Sequence, residues 1–336
     1  RARARAATTG FMALARVAGC RLDELSARHL GHQIAPRLNA AGRIDDMAVG
    51  IRCLLTDDPG EALTLAGELD RLNRERRELE GRMREEAMSA VRRLRIADGD
   101  LPPGLTLFDS GWHAGVVGLV ASRMKDRLHR PVVAFAPASA DELRGSARSV
   151  AGLHVRDVLE AVSSRHPGLI ERFGGHAMAA GLTLGRASLA RFADAFAQEV
   201  GRRLSPSQMQ NVLETDGALA ANEISLETAQ VLESGGPWGQ AFPEPVFDGE
   251  FDVVDARTVG DRHLRLWLRA AAATPPVEAI AFGFFDEPEA QRPAAGARLT
   301  LAYRLQTSTF GGTPHAELLV EHVASNEGER PLLSGW

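Results

Sequence analysis

The chain has 336 residues, 44% hydrophobic and 25% charged, with a formal net charge of −5, which is enough apolar material for two or three cored domains and argues against a generic polyanion binder. Its two cysteines, Cys20 and Cys53, match no zinc or redox spacing, as expected of a reduced cytoplasmic setting. No apolar run approaches the roughly 20 residues of a membrane span.

Charge is unevenly placed: residues 1–57 carry 9 basic against 5 acidic side chains, residues 101–204 carry 13 against 9, and residues 205–336 carry 8 against 19. The front is mildly basic and the back acidic. All but one of the 39 basic residues are Arg, a uniform bias that reflects coding composition rather than function. RARARAATTG leads from Arg1 straight into apolar, helix-like sequence, and the expectation is a fragment of a longer chain. Val17-Ala18-Gly19-Cys20 has the look of a lipoprotein processing site, but Arg16 interrupts the short apolar segment before it.

Asp58-Pro59 pairs an N-cap with a proline at the first helical position, and no further proline occurs until Pro102. One long helix is predicted over this span, with Leu65, Leu69, Leu72, Leu79, Met83, Ala87 and Leu94 as its apolar stripe and a mixed-charge solvated face. It reads as a strut between domains. The alternative is a dimeric coiled coil, whose apolar heptad Arg76 breaks.

From residue 104 the pattern alternates. GLTLFDS, PVVAFAP, ELRGSARSV and AMAAGLTL read as strands, and HAGVVGLVASRMKDRL, HVRDVLEAVSSR and ASLARFADAFAQEVGRRL as helices, together a compact α/β domain. After about residue 205, short alternating runs (FDGEFDVVDA, RHLRLWLRA, VEAIAFGFF, ARLTLAYRLQT, AELLVEHV) predict a small β-barrel or sandwich.

Several stretches suit phosphate. In FGGHAMAAG, Gly174 and Gly175 can take positive φ and present successive backbone N–H groups to an anion, with His176 adding a donor. A glycine turn feeding a packed strand would give the same pattern. In RGSARS, strand periodicity sets Arg144, Ser146 and Arg148 on one face, able to grip a phosphodiester or equally to face solvent. In PRLNAAGRIDD, Arg37, Asn39 and Arg43 flank the closely approachable Ala40-Ala41-Gly42, while Asp45 and Asp46, just before an apolar helix, read as its N-caps rather than metal ligands. GWHAGVVGLVASRM puts His113 at the start of a Gly/Ala-rich helix whose N-terminus attracts anions, although packing explains most of this composition. In RHLRLWLR, His263, Arg265, Trp267 and Arg269 alternate with Leu264, Leu266 and Leu268, giving a basic stripe around one indole, suited either to a nucleic-acid strand or to a domain interface. Two-metal phosphodiester hydrolysis needs clustered Asp and His holding ions about 3.5–4 Å apart. The sequence shows no such cluster, and no P-loop or G-x-S-x-G elbow, so the metal-ligand set is read as none.

In their order, PRLNAAGRIDD, LNRERRELE, GWHAGVVGLVASRM, HRPVVAFAPA, RGSARSVAGLH, FGGHAMAAG and GPWGQAFPEPVFDG resemble the RecJ family of single-strand-specific 5′→3′ exonucleases in the DHH phosphoesterase superfamily. The resemblance runs from about residue 20 to the end. It implies an α/β plus β, multidomain fold: the tail of a catalytic DHH domain at 1–57, a connecting helix at 58–100, a DHH-associated domain at 101–204 and an OB fold at 205–330. The Asp-His-His motif that gives the superfamily its name is not in this sequence, so the ligands for Mn²⁺ or Mg²⁺ are expected outside it and the chain alone is expected to be inactive. By motif, Asn39 and Arg43 would line the active-site side, Ser146 and Arg148 would hold the strand's backbone, and Gly174, Gly175 and the catalytic candidate His176 would embrace phosphate near the scissile bond. Single-stranded DNA is the implied partner, with a single-strand-binding protein or a helicase beside it, and the chain is expected to act as a cytoplasmic monomer away from membranes. Two other readings stay open: a DHH-type phosphoesterase acting on oligonucleotides or cyclic dinucleotides, and a non-catalytic nucleic-acid-binding module.

Overall fold

The structure, a computed structural model, describes residues 7–22, 25, 27–98, 101–209, 212–239, 241–286 and 290–325. It divides into two compact units, Arg1–Gln210 and Asn211–Trp336.

The first unit opens with helices α1 (Thr9–Val17), α2 (Ala27–His29), a π-helical stretch (Leu30–Ile34), α3 (Ala35–Ile44) and α4 (Ala48–Leu55). Helix α5 (Pro59–Asp98) follows, 40 residues and so about 60 Å long. It starts as the Asp58-Pro59 pair dictates, with Asp58 Oδ1 accepting from the Glu61 N–H at 2.7 Å. Its apolar stripe serves two cores in turn. Ala62, Leu65, Ala66, Leu69 and Leu72 pack with α1, α3 and α4, whereas Met83, Ala87 and Val91 pack with the α/β region. These residues are spent inside the chain, which accounts for the described part of the stripe without a coiled-coil partner. The Leu94 side chain lies outside the described residues. Between the two cores Asn73, buried to 1% exposure, and the Arg76–Glu80 ion pair make a polar joint, which is where the apolar heptad breaks.

The α/β region holds β1 (Leu105–Phe108), α6 (Val117–Leu128), β2 (Val132–Pro137), β3 (Glu142–Arg148), α7 (Val155–Arg165), β4 (Arg172–Gly175), β5 (Ala179–Gly185) and α8 (Leu189–Arg203). The sheet runs β1-β2-β3-β5-β4, with β1 and β2 parallel and the other pairs antiparallel. Strand β2 is buried on both faces: Val133 and Phe135 meet α7 and α8, and Val132, Ala134 and Ala136 meet α6 and α5. Each fully buried side chain of this kind contributes about 1.5–3 kcal/mol for the larger aliphatics and Phe. Two sequence expectations change here. β4, read as a glycine turn, is a strand paired with β5, and α6 begins at Val117 rather than His113 because residues 113–116 form turns.

The second unit carries α9 (Leu226–Gly235), β6 (Phe247–Val259), β7 (His263–Arg269), β8 (Val277–Ala281), β9 (Arg298–Ser308) and β10 (His315–Ser325). The strands close as β10-β8-β7-β6-β9, which settles the barrel against the sandwich. The connectivity is that of an OB fold: a meander β6-β7-β8, then β9 and β10 sealed by a parallel β8–β10 seam. Leu264, Leu266 and Leu268 fill the interior at 0% exposure, as the alternation of β7 predicts. Helix α9, which the sequence did not mark, is capped by Ser225 and contributes Ala229 to this core.

Candidate nucleic-acid interface

The leading turn of α6 is where distant segments of the first unit meet. Gly115 lets it sit on the end of α3: a Cβ there would stand 1.8 Å from the Arg43 carbonyl oxygen. Arg43 Nη1 donates back to the Gly115 carbonyl at 3.5 Å, and His113 Nδ1 accepts from the Gly115 N–H at 3.1 Å. Gly118, one residue into α6, brings the helix onto β3, since a Cβ there would lie 2.8 Å from Arg148 Nη2 and 3.0 Å from Ser146 Oγ. The N-cap of α6 is Val116, which makes no side-chain cap, and the first turn has no acid. No side chain or acid neutralises the positive end of the helix, although the Val117 and Leu119 N–H groups already donate to the His113 and Val116 carbonyls at 3.2 and 2.8 Å.

Arg148 donates to Ser146 Oγ at 2.9 Å and to the Ala147 carbonyl at 2.8 Å. Among the described residues no carboxylate pairs with Arg148 or Arg43. Burial, and then the charge of Arg43, hold the Arg148 guanidinium below its ordinary pKa. Arg76, on α5, is also pushed down by burial and by Arg77, Arg43 and Arg123, against the pull of Glu80. Half-buried cations that repel one another need a counter-anion, because an unpaired buried charge is costly. The arrangement is chemically an anion cradle built from α3, α6 and β3.

Beside the cradle the sheet is bare. Registered pairs place Ser146, Gly181 and Gly174 in one cross-strand row, Arg144, Thr183 and Arg172 in another, and Arg148 beside Ala179. These rows share the face that α6 covers over β2 and β3. A Cβ on Gly174 would meet nothing within 4 Å, and one on Gly181 only the Gly145 carbonyl oxygen at 4.0 Å. Gly145, pointing to the other face, is demanded by Phe135 at 2.4 Å, so the two faces use glycine for different reasons. Gly175 is required by the fold: its φ is 146° and a Cβ would fall 2.4 Å from the Ala179 carbonyl oxygen. The expected pair of positive-φ glycines is therefore corrected. Only Gly175 is positive, and the hairpin is closed by the His176 N–H donating to the Ala179 carbonyl at 2.8 Å. Arg144 is exposed on this face, and His176, in the hairpin after Gly175, is also exposed.

The three α3 residues separate. Asn39 and Arg43 stand four apart, on one helix face, and Asn39 is exposed. Arg37 points elsewhere, its Nε 2.9 Å from Asp70 Oδ1 with only 14% of the side chain exposed, so it ties α3 to α5 and joins no free cation. The N-cap reading of the two aspartates is corrected: Asp45 is the C-cap of α3 and Met47 the N-cap of α4, while Asp46, one residue earlier, accepts from the Ala48 N–H through Oδ1 at 2.9 Å.

In the second unit, the outward face of β7 is more occupied than its sequence implies. Arg257 stacks over Trp267 at 4.9 Å from the ring centroid, and Arg265 over Phe310 at 4.1 Å. Arg265 Nη1 also stands 3.8 Å from Glu278 Oε2. His263 Nδ1 accepts from the Gly283 N–H at 2.9 Å, and Arg269 Nε is buried without a hydrogen-bond partner. The open aromatic here is Phe310, 67% exposed, which the sequence pattern could not find because it lies in the β9–β10 loop.

Residues 102–202 match the DHHA1 domain and residues 215–322 the RecJ OB domain. The chain is 46% identical over 324 residues to the single-stranded-DNA-specific exonuclease RecJ of Dickeya dadantii (strain 3937), covering 96% of this chain and 56% of that protein. The chain belongs to the RecJ family. Among solved structures it resembles RecJ from Thermus thermophilus in complex with Mg²⁺ (TM-score 0.75, 26% identity, 95% of this chain and 47% of that one) and with Mn²⁺ (0.73, 28%, 95% and 44%). It thus spans about half the length of the RecJ proteins it matches.

Among the described residues of the first unit, no three His, Cys, Asp or Glu side chains stand close enough to share a divalent ion. Among the described residues, the one group of His, Cys, Asp or Glu close enough to share an ion is Glu278, His315 and Glu317, in the second unit. The cradle side chains are Arg, Ser and Asn, rich in donors suited to phosphate, with no carboxylate or thiolate among them. Burial raises the thiols of Cys20 and Cys53, so neither is a reactive thiolate.

Proposed function

We propose that this chain supplies the strand-holding part of a metal-dependent exonuclease that degrades single-stranded DNA 5′→3′ in recombination and repair. The observation that carries the reading is the convergence of Arg43 and Arg148, neither paired with a carboxylate among the described residues, on the start of α6, which no side chain caps, beside the open glycine positions 174 and 181. The naming of its relatives as single-stranded-DNA-specific exonucleases supports the substrate.

In this reading one phosphodiester sits against Arg148, Ser146 and the first turn of α6, with Arg43 and Asn39 on its far side. The backbone then runs over Gly181 and Gly174, where no side chain obstructs it, and Arg144 and His176 engage the next phosphates. His176 is the group we assign nearest the scissile bond, as a donor to a non-bridging phosphate oxygen. Because the described residues of the first unit include no group of three His, Cys, Asp or Glu close enough to share Mn²⁺ or Mg²⁺, no bond-breaking step is assigned to this chain alone. Purified as it stands, it will bind an oligothymidylate and release no nucleotide on addition of Mn²⁺ or Mg²⁺. Robust Mn²⁺-dependent release, with contaminating nucleases excluded, would contradict that division of labour.

The barrel contributes a second anchor for the strand through His263, Arg265, Trp267 and Arg269, despite the acidic excess of its half of the chain. Arg265→Ala together with Arg269→Ala will flatten the salt dependence of single-strand binding by nearly one unit of log–log slope for each phosphate that is no longer neutralised. Trp267→Ala will weaken binding several-fold, near the low end of the roughly 1–3 kcal/mol per stacked base, because Arg257 already covers part of the ring. Wild-type affinity and slope in both variants would make this acidic unit a docking surface for a protein such as a single-strand-binding protein or a helicase. No helix among the described residues is long and apolar enough to cross a membrane, and we place the protein's action in the cytoplasm, as a monomer.

A further inference from the structure

The seam that closes the barrel sets two carboxylates side by side. In the parallel pairing of β8 and β10, Glu317 stands opposite Glu278, and like charges directly opposite destabilise a sheet. Glu317 is only 5% exposed, and one of its oxygens, Oε2, accepts from Gln306 Nε2 at 2.8 Å. His315 completes the group. Its Nδ1 lies 3.0 Å from the Thr313 carbonyl oxygen, an acceptor, so in the neutral ring the proton sits on Nδ1 and Nε2 carries a lone pair. That Nε2 is buried with no hydrogen-bond partner and faces Glu278 Oε2 at 3.7 Å. A lone pair aimed at a carboxylate is repulsive, and either a proton on Nε2, which makes an imidazolium paired with Glu278, or a metal ion between the two relieves it.

We propose that Glu278, His315 and Glu317 form a site for a divalent transition-metal ion of the Zn²⁺ class on the barrel seam. The three donor atoms all lie within 4.8 Å of one another. Ligands on a common ion at about 2.1 Å can be no more than about 4.2 Å apart, so closure needs side-chain movement on the order of 1 Å. The Nδ1–H donated to a backbone carbonyl is the outer contact that orients metal-binding imidazoles and fixes their tautomer. One imidazole with two carboxylates favours Zn²⁺ over Mn²⁺ and both over Mg²⁺. Arg265 is the competing cation, but it stands 3.8 Å from Glu278 alone, with its guanidinium stacked on Phe310. Bound there, the ion would pin the β8–β10 seam, whose register spans three residue pairs. The site lies in the barrel and is independent of the phosphate cradle proposed above.

Equilibrium dialysis of the whole chain against Zn²⁺, with metal counted by atomic emission, tests it. The expected result is one Zn²⁺ per chain, a higher melting temperature for the barrel with Zn²⁺ than with chelator, and weaker competition by Mn²⁺. Glu278→Gln, which keeps the side chain's shape, and His315→Ala should each weaken binding by about ten-fold or more and abolish the thermal shift. His176→Ala, in the other unit, should leave both intact. Overturning results are no retained Zn²⁺ with no thermal shift in the wild-type chain, or Zn²⁺ binding that Glu278→Gln and His315→Ala leave unchanged.

Discussion

Arg148→Gln is expected to lower the chain's affinity for single-stranded DNA by ten-fold or more, about 1.4 kcal/mol, while its melting temperature holds or rises. The two effects have one cause. Arg148 is half-buried, with no carboxylate pairing with it among the described residues, and both burial and Arg43 work against its charge. Its hydrogen bonds to Ser146 and Ala147 orient the guanidinium without neutralising it. Folding therefore holds a cation in place at a cost that only an incoming anion offsets. Removing the charge relieves the free protein and deprives the bound strand. Fluorescence anisotropy with a labelled oligothymidylate, paired with thermal melts, reads both quantities. A large drop in melting temperature at unchanged affinity would make Arg148 a structural strut instead.

Two neighbouring glycines should separate just as cleanly. Gly174→Val adds a β-branched side chain to a strand position that has open space around it, and strands tolerate such residues well, so the melting temperature should hold. Yet the valine would stand where the phosphate backbone is proposed to pass, and binding should fall ten-fold or more. Gly175→Ala does the reverse. At φ 146°, with its Cβ forced to 2.4 Å from the Ala179 carbonyl oxygen, it strains the hairpin by about 1–3 kcal/mol. It should unfold at lower temperature and bind DNA in proportion to the fraction folded. If Gly174→Val binds like the wild type, the bare face is not the strand's path.

Much of the fold was legible because period and packing agree. The Asp58-Pro59 cap, the stripe of α5 and the leucine alternation of β7 each state a local rule that the tertiary structure obeys. β4 was missed because its sequence, RFGG, has little strand propensity of its own; pairing with β5 imposes the conformation. Arg37, Asn39 and Arg43 looked equivalent in sequence. Helical spacing puts Asn39 and Arg43 together and sends Arg37 to Asp70, a partner 33 residues away that no local pattern reveals. The meeting of Arg43 with Arg148, and the approach of Arg76 from α5, are likewise long-range facts. They depend on Gly115 and Gly118 letting α6 touch two other elements at once. The Glu278–His315–Glu317 group is invisible for the same reason, since β8 and β10 are joined only by barrel closure.

Hydrogen exchange with and without a saturating oligothymidylate tests the cradle most directly, because it reports where the strand lies without altering any residue. Slowed exchange is expected at residues 113–120, which lead into and begin α6, and across the hairpin of residues 172–181, with α7 and α8 on the opposite face unchanged. Protection confined to other segments of the first unit, or none there at concentrations where the DNA is bound, would rule out the cradle as the strand's seat.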